Sequence, residues 1–184
     1  MRKNKKNLTA SGILRENIQF LSPVATARGV LESNLDLFRL PIDVEALCER
    51  QNIVIRYVDF GEIEREVKLE ISGAIQKSGD KYTILVNEED SDERARFAIA
   101  HELGHYFLHM WDDPRGIVAS FRRDNSPREI AANKFAAGLL APKNLLQEEY
   151  RKMAIPVAET LARKCGVSNR AMRMRLNSLG LIYV

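Results

Sequence analysis

The sequence predicts an α+β fold in which helices flank a small three-stranded sheet. The apolar residues of positions 10–38 recur at helical spacing, and so do those of positions 90–180. Between them, positions 53–86 contain short alternating segments rich in β-branched residues, which are typical of strands. The chain has 184 residues, of which 45% are apolar and 29% charged, so it can bury a core of its own. We therefore expect one main globular unit.

The first elements are predicted to be helices. The spacing over residues 10–38 is interrupted at Ser22-Pro23, because a proline cannot continue a helix. A further short helix is expected after Pro41, with Asp43 as its N-cap. The chain is accordingly divided into an N-terminal helical extension, a core and a C-terminal helical segment, which are residues 1–39, 40–152 and 153–184.

Three strands are predicted next. Residues Ile53–Val58 alternate and are β-branched, which favours a strand. Residues Gly73–Lys77 and Lys81–Val86 are expected to pair as a hairpin. The turn between them is Ser78-Gly79-Asp80, where glycine supplies the positive φ of a short connection.

Two long helices are predicted after the hairpin. The first begins at Asp90 or Ser91 and runs to about Trp111, where Asp-Asp-Pro stops it. The second covers Ser126–Ala141, with Pro127 at its first position. Both are long enough to form much of the core.

The C-terminal residues 144–152 and 155–180 are predicted to be helical, with a break at Cys165-Gly166. The last part resembles a helix-turn-helix in which Ser168 caps a second helix, Asn169–Ser178. An ordinary helical pair with its basic face in solvent explains the same pattern, and we favour it over DNA contact because the pattern is short and degenerate. In the DNA-binding alternative, base contacts would come from Asn169, Arg170 and Arg173.

All three histidines lie between His101 and His109, on the first long helix. In HELGH, His101 and His105 are four residues apart, so they share one helix face and can converge on one ion. His109 is eight residues from His101, about 12 Å along the axis, so one ion cannot bind both. Glu102 favours the first pair, because a carboxylate beside the ion suits a general base, whereas the second pair has Tyr106 in that place. We expect His109 to support the site by hydrogen bonding.

A third protein ligand is needed, because two histidines leave a metal ion under-coordinated. Glu129 lies on the second long helix one turn before Asn133, and small residues follow on the same face, which suits close packing against the histidine helix. Asn133 could then fix the tautomer of a ligand histidine. However, the stretch Ser126 to Glu129 is also a capping box, in which the carboxylate would bind the Ser126 amide instead. Spacing alone leaves both roles open. The other carboxylates considered are Asp112, Asp113, Asp124, Glu148 and Glu149.

Two stretches, RFAIAHELGHYFLH and EIAANKFAAGLLAP, resemble the ImmA/IrrE family of metallo-endopeptidases. The resemblance extends upstream through LPIDVEALCERQNIVI, SGAI and YTILVN, so it covers roughly residues 40–145. It implies a zincin-like metallopeptidase core. It also implies that His101, His105 and Glu129 bind the metal and that Glu102 is the catalytic base.

The predicted function is that of a zinc-dependent endopeptidase, with manganese as the alternative ion. Three nitrogen and oxygen ligands leave one position for water, whereas a structural zinc site is closed by four ligands that usually include cysteine. Water activated by the metal and Glu102 would attack a peptide carbonyl. An extended substrate would pair with an edge strand, for which Ser72–Ile75 is the candidate. The oxyanion-stabilising residue stays open among Tyr57, Tyr82, Tyr106 and Arg122.

The family resemblance also implies a substrate. It is a helix-turn-helix (XRE-type) transcriptional repressor or antitoxin, in a stress, mobile-element or toxin–antitoxin circuit. The alternative is a regulator that binds DNA or a repressor without cutting it and uses its metal only structurally.

Composition favours a cytoplasmic protein without a membrane partner. No signal peptide or membrane span follows the basic N-terminus. Cys48 and Cys165 show no metal-binding spacing, and we expect both to be buried thiols in a reducing compartment. The net charge is only +3, with basic residues crowded at both ends, which favours solvated termini over a nucleic-acid surface.

Overall fold

The computed structural model describes residues 22–67, 70–109, 117–121, 126–153 and 157–181. The helix expected before Ser22 and the end of the long helix at Trp111 lie outside these ranges. The described helices are α1 (Pro23–Glu32), α2 (Val44–Arg50), α3 (Gly61–Val67), α4 (Asp92–His109), α5 (Pro127–Leu140), α6 (Lys143–Arg151), α7 (Ala158–Cys165) and α8 (Asn169–Ser178), with a 3-10 turn at Leu35–Leu37. The strands are β1 (Ile53–Val58), β2 (Ile71–Ser78), β3 (Lys81–Asn87) and β4 (Ile117–Phe121).

The sheet has four strands in the order β1-β3-β2-β4, one more than the sequence predicted. The hairpin of β2 and β3 is confirmed, and Gly79 in its turn has a φ of 59°. β1 lies parallel to β3 on one side, and β4 lies antiparallel to β2 on the other. β4 was missed because its five residues carry little pattern of their own and are ordered by pairing with β2.

The fourth strand changes the position of β2. Residues Gly73–Gln76 pair with both β3 and β4, so β2 is an inner strand. The prediction that Ser72–Ile75 forms a free edge is therefore wrong. Among the described strands, the edges of the sheet are β1 and β4.

Side-chain caps begin several helices, and the sequence predicted the cap of α2. Ser22 accepts the N–H of Ala25 at 3.3 Å, so the break before Pro23 is the start of α1. Asp43 accepts the N–H of Ala46 at 2.9 Å and begins α2. α3 was not predicted, because its sequence GEIEREV has no apolar face and half of Ile63 is exposed.

Helix α4 forms the centre of the molecule. Its residues 98–107 are all buried, including two histidines and a glutamate. The sheet packs on it through Ile75 and Ile84, and α5 packs on it through Phe135, whose ring stacks on Phe107 at 5.8 Å. Polar side chains in so apolar a setting need partners or a ligand.

The C-terminal helices α7 and α8 belong to the same hydrophobic cluster as α4. Arg96 of α4 donates to the carbonyls of Gly166 at 3.2 Å and Ile42 at 2.8 Å. Arg175 donates to the carbonyl of Ala141 at 3.0 Å. These contacts fix the helical pair on the core, while the domain boundary after residue 152 stays a prediction. Within the described ranges, no helix has the length and apolar character needed to cross a bilayer.

Candidate metal centre

Two histidines on α4 point their Nε2 atoms toward the same place. His101 and His105 are one turn apart, and their Nε2 atoms are 3.1 Å from each other. Both are buried, with 5% and 0% of their surface exposed. The helical spacing therefore produces the convergence that the sequence predicted.

A carboxylate from α5 completes the cluster. Glu129 places Oε2 at 2.9 Å from Nε2 of His101 and Oε1 at 2.9 Å from Nε2 of His105. The hydroxyl of Ser126 accepts the Glu129 N–H at 3.4 Å, so Ser126 caps the helix while the carboxylate turns to the histidines. The carboxylate thus contacts both histidines, as the ligand role requires, and that role stays a prediction.

The chemistry and spacing of the cluster suit a divalent cation. The donor atoms of His101, His105 and Glu129 all lie within 4.8 Å of one another, and the three residues are buried. A tetrahedral ion with bonds of about 2.0–2.1 Å holds neighbouring donor atoms about 3.3 Å apart. The observed separations of 2.9–3.1 Å need to open by only a few tenths of an ångström. Two imidazoles and one carboxylate are also a donor set that zinc accepts.

Asn133, one turn after Glu129, orients the first histidine. Its Oδ1 lies 3.0 Å from Nδ1 of His101 and accepts a hydrogen bond from that N–H. The lone pair of Nε2 is then directed at the cluster, as a metal ligand requires. The contact matches the supporting role proposed for Asn133.

The charges of the cluster reinforce one another. Burial alone raises the pKa of Glu129, but hydrogen bonds with His101 and His105 outweigh it and lower that pKa to about 2. Burial likewise opposes the charged form of His101, but the hydrogen bond to Glu129 and the charge of Glu102 raise its pKa overall. The carboxylate is therefore ionised at neutral pH, as a metal ligand must be.

Glu102 lies beside the cluster but is not part of it. It is fully buried on α4, and its carboxylate faces β2 at Gly73. The group that could hold a metal ion consists of His101 and His105 together with Glu129. A carboxylate next to the ion, but not on it, is the arrangement expected of a general base.

His109 contacts the start of α5. Its Nε2 lies 3.3 Å from the carbonyl oxygen of Arg128, and its ring is 5.4 Å from that of His105. Burial and the nearby His105 lower its pKa, so at neutral pH it is an uncharged imidazole. The contact places His109 beside Arg128, the residue before Glu129, and its supporting role stays a prediction. Nδ1 of His105 is buried and has no hydrogen-bond partner within the part of the chain that the structure describes.

The other candidate residues lie elsewhere. Glu148 and Glu149 pair with Lys152 at 2.7 and 3.0 Å, and Glu149 also pairs with Lys164. Among the tyrosines, Tyr82 and Tyr106 pack edge to face at 4.9 Å, whereas the hydroxyl of Tyr57 is 3.5 Å from Glu45 of α2. The remaining candidates Asp112, Asp113, Arg122 and Asp124 lie outside the described residues.

The cysteines take no part in the cluster. Cys48 and Cys165 are free and buried, as predicted. Burial raises the pKa of the Cys48 thiol to about 12 and that of Cys165 to about 11. Neither is a thiolate at neutral pH, and a thiolate is the form that binds zinc.

Gly104 sets the distance between α4 and α5. A Cβ added there would lie 3.0 Å from Cα and 3.2 Å from the carbonyl oxygen of Ala132. The two helices therefore touch backbone to backbone between the histidines and Glu129, which explains a glycine in the middle of a helix.

Gly104→Ala is expected to push α5 away and to lower the free energy of unfolding by about 1–3 kcal/mol. Zinc should bind more weakly as well, because Glu129 moves with α5. Gly138→Ala is the matched control: its Cβ would meet Ala27 and Val24 at 3.4–3.5 Å, so it should be neutral or stabilising by up to about 1 kcal/mol. Urea unfolding and zinc competition titrations compare the two. Equal stability and zinc affinity would show that the contact does not set the site.

The chain is similar to a known protein family and to a relative whose name states an activity. The Peptidase M78 family, described as the IrrE N-terminal-like domain, matches residues 48–177, which is well over half of the chain. The protein named Metallopeptidase ImmA from Bacillus subtilis (strain 168) is 32% identical over 108 residues. That alignment covers 58% of this chain and 58% of the relative, so the chain spans little more than half of its length. The family match includes both α4 and α5 with every residue of the cluster, and this chain therefore belongs to the Peptidase M78 family of IrrE N-terminal-like domains.

Proposed function

We propose that this protein is a zinc-dependent endopeptidase whose metal ligands are His101, His105 and Glu129 and whose general base is Glu102. The observation that carries the proposal is the convergence of three buried donor groups from α4 and α5. The family match and the name of the Bacillus relative support the same activity.

The metal ion and the protein side chains have different roles in the proposed reaction. Zinc held by three protein ligands polarises a peptide carbonyl and lowers the pKa of water to about 7. Glu102 accepts the proton of the attacking water and later returns it to the leaving amine. Asn133 holds His101 in the tautomer that presents Nε2 to the ion. Because Glu102 is fully buried, its carboxylate is shielded from bulk solvent.

The substrate is proposed to bind as an extended strand along β4. β4 lies at the edge of the described sheet, and its Ser120 is paired with Gly73, the residue that Glu102 faces. An added strand beside β4 would be held by backbone hydrogen bonds and would lie about 10 Å from β2, which is two strand spacings.

We propose a helix-turn-helix (XRE-type) repressor or an antitoxin as the substrate, in a stress, mobile-element or toxin–antitoxin circuit, as the family resemblance implies. Manganese is the alternative ion, since it also accepts nitrogen and carboxylate ligands. The buried free thiols Cys48 and Cys165 support a reducing compartment, and we place the protein in the cytoplasm.

Cleavage of the neighbouring repressor tests the proposal. The purified protein with one equivalent of zinc should cut the repressor encoded beside its own gene at a defined bond, as seen by mass spectrometry. A chelator should abolish cleavage, and added zinc or manganese should restore it. Cleavage that continues unchanged in excess chelator would refute a metal-dependent mechanism.

A second candidate function is duplex DNA binding by α8. Residues 157–181 contain five basic side chains and one acidic one. Asn169, Arg170 and Arg173 are all exposed in the first half of α8, after the turn at Gly166 and the Ser168 cap. This is the part of a helix-turn-helix that reaches bases and phosphates.

DNA binding predicts a measurable salt dependence. Replacing both Arg170 and Arg173 by alanine should reduce the slope of log K against log salt by about 2, since each phosphate contact contributes about 1. Fluorescence anisotropy with the operator of the neighbouring repressor and a scrambled duplex measures this. Arg28→Ala, an exposed change on α1, is the control. No binding to either duplex at low salt would remove this function.

A further inference from the structure

Gly73 lies on β2 where the sheet faces the general base. It is paired with Val86 of β3 on one side and with Ser120 of β4 on the other. The β2–β4 register shifts between Ile71 and Gly73, so a bulge immediately precedes it. Gly73 is buried, and its Cα faces the side chain of Glu102 on α4.

There is almost no room for a side chain at this position. A Cβ on Gly73 would lie 3.1 Å from Oε1 and 3.5 Å from Cγ of Glu102, and 3.2 Å from the carbonyl oxygen of Leu85. Ordinary contacts between such atoms are about 3.5–4.0 Å. The backbone does not demand glycine here, because positive φ values among the described glycines occur at Gly79, Gly166 and Gly180. Glycine is therefore explained by space: a side chain here would come too close to Glu102 and Leu85.

The backbone around Gly73 cannot yield easily. β2 is hydrogen-bonded on both sides, and Leu85 belongs to β3, which is itself held between β1 and β2. Glu102 meets the Cβ with the end of a side chain and not with backbone, so it is the group that a Cβ would displace. The carboxylate would then shift by a few tenths of an ångström from the position that it holds beside His101.

We propose that Gly73 is a positioning residue: the absence of a side chain on β2 creates the space that holds the Glu102 carboxylate next to the metal ligands. The assignment deepens the proposed function, on which the role of Glu102 as base rests. The contact itself can be tested without any enzymatic assay.

A thermal double-mutant cycle tests the contact. The four proteins are wild type, Gly73→Ala, Glu102→Ala and the double variant, each with zinc in the same excess. Gly73→Ala should lower the Tm of the wild type by about 5 °C. It should lower the Tm of Glu102→Ala by less than half as much, because two of the three close atoms are then gone. If Gly73→Ala does not fold, its recovery in the double variant supports the contact equally.

Gly61→Ala is the matched control for this cycle. Its Cβ would meet Oδ1 of the exposed Asp59 at 3.0 Å, and the same oxygen accepts the Gly61 N–H at 2.7 Å. Its Tm should fall modestly, and equally with and without Glu102. An equal fall in Tm for Gly73→Ala in both backgrounds would overturn the proposal, and so would a double variant that cannot fold.

Kinetics on the repressor test the consequence. Gly73→Ala should lower kcat by about 10–100-fold, while KM and the zinc content per chain stay at the wild-type values. Loss of zinc, or a change in KM alone, would contradict action through Glu102. A wild-type protein that cleaves nothing would refute the proposed function, whereas the thermal cycle would still decide the role of Gly73 in placing Glu102.

Discussion

Glu102→Gln is expected to lower kcat/KM for repressor cleavage by about 10²–10⁴-fold while one zinc ion stays bound. Glutamine has the same shape as glutamate, so the buried space between α4 and β2 remains filled. Its amide cannot accept the proton of the attacking water. The ligands His101, His105 and Glu129 are unchanged, so affinity for zinc should be unaffected.

Glu149→Gln is the matched control for this variant. It makes the same chemical change on α6, where the carboxylate pairs with Lys152 and Lys164 at the surface. Surface ion pairs contribute about 0–1 kcal/mol, so activity and stability should stay near the wild-type values. A Glu102→Gln protein that cleaves at the wild-type rate would disprove the proposed mechanism. Loss of zinc from it would show that Glu102 is a ligand.

Glu129→Gln is expected to abolish tight zinc binding. The carboxylate carries a negative charge and places one oxygen beside each histidine, and a neutral amide is a poor substitute. Loss of a residue that only supports a ligand, as we propose for Asn133, typically lowers metal affinity by about 10–100-fold. The affinity of Glu129→Gln for zinc should fall by more than that. Isothermal titration with a competing chelator measures both variants.

The same loss should appear in thermal stability. Zinc at 100 times its Kd stabilises a protein by about 2.7 kcal/mol, which is a rise of several degrees in Tm at this chain length. Wild type should show this rise and Glu129→Gln should not, while Asn133→Ala should show a smaller one at equal zinc. If Glu129→Gln binds zinc as tightly as wild type, the third ligand is a different residue.

Local patterns predicted the parts of the site that depend on one helix. The spacing of His101 and His105 determines their common face wherever the helix packs, and Asp43 and Ser126 cap their helices by contacts within four residues. Such features need no knowledge of the tertiary structure. They were therefore accessible from the sequence.

The role of Glu129 depended on packing between helices. Its carboxylate can reach either the Ser126 amide or the histidines, and His101 is 28 residues away in the chain. The carboxylate reaches the histidines because the backbone contact of Gly104 with Ala132 brings α5 onto α4. No local pattern encodes that distance, so the family resemblance had to supply the assignment.

The sheet was the least predictable element. β4 becomes a strand through pairing with β2, and this pairing converts Ser72–Ile75 from a predicted edge into an inner strand. The same nonlocal arrangement places Gly73 against Glu102, a contact between residues 29 positions apart in sequence. A glycine in SGAI has no visible role until that contact is known.

The central claim is that one metal ion is held by two imidazoles and one carboxylate beside Glu102. Anomalous diffraction at the zinc edge, from crystals of the zinc-loaded protein, tests it most directly. We predict a single peak within about 2.0–2.2 Å of Nε2 of His101, Nε2 of His105 and a carboxylate oxygen of Glu129. A peak at the cysteines, a peak bound by Glu102, or no peak between α4 and α5 would contradict the account.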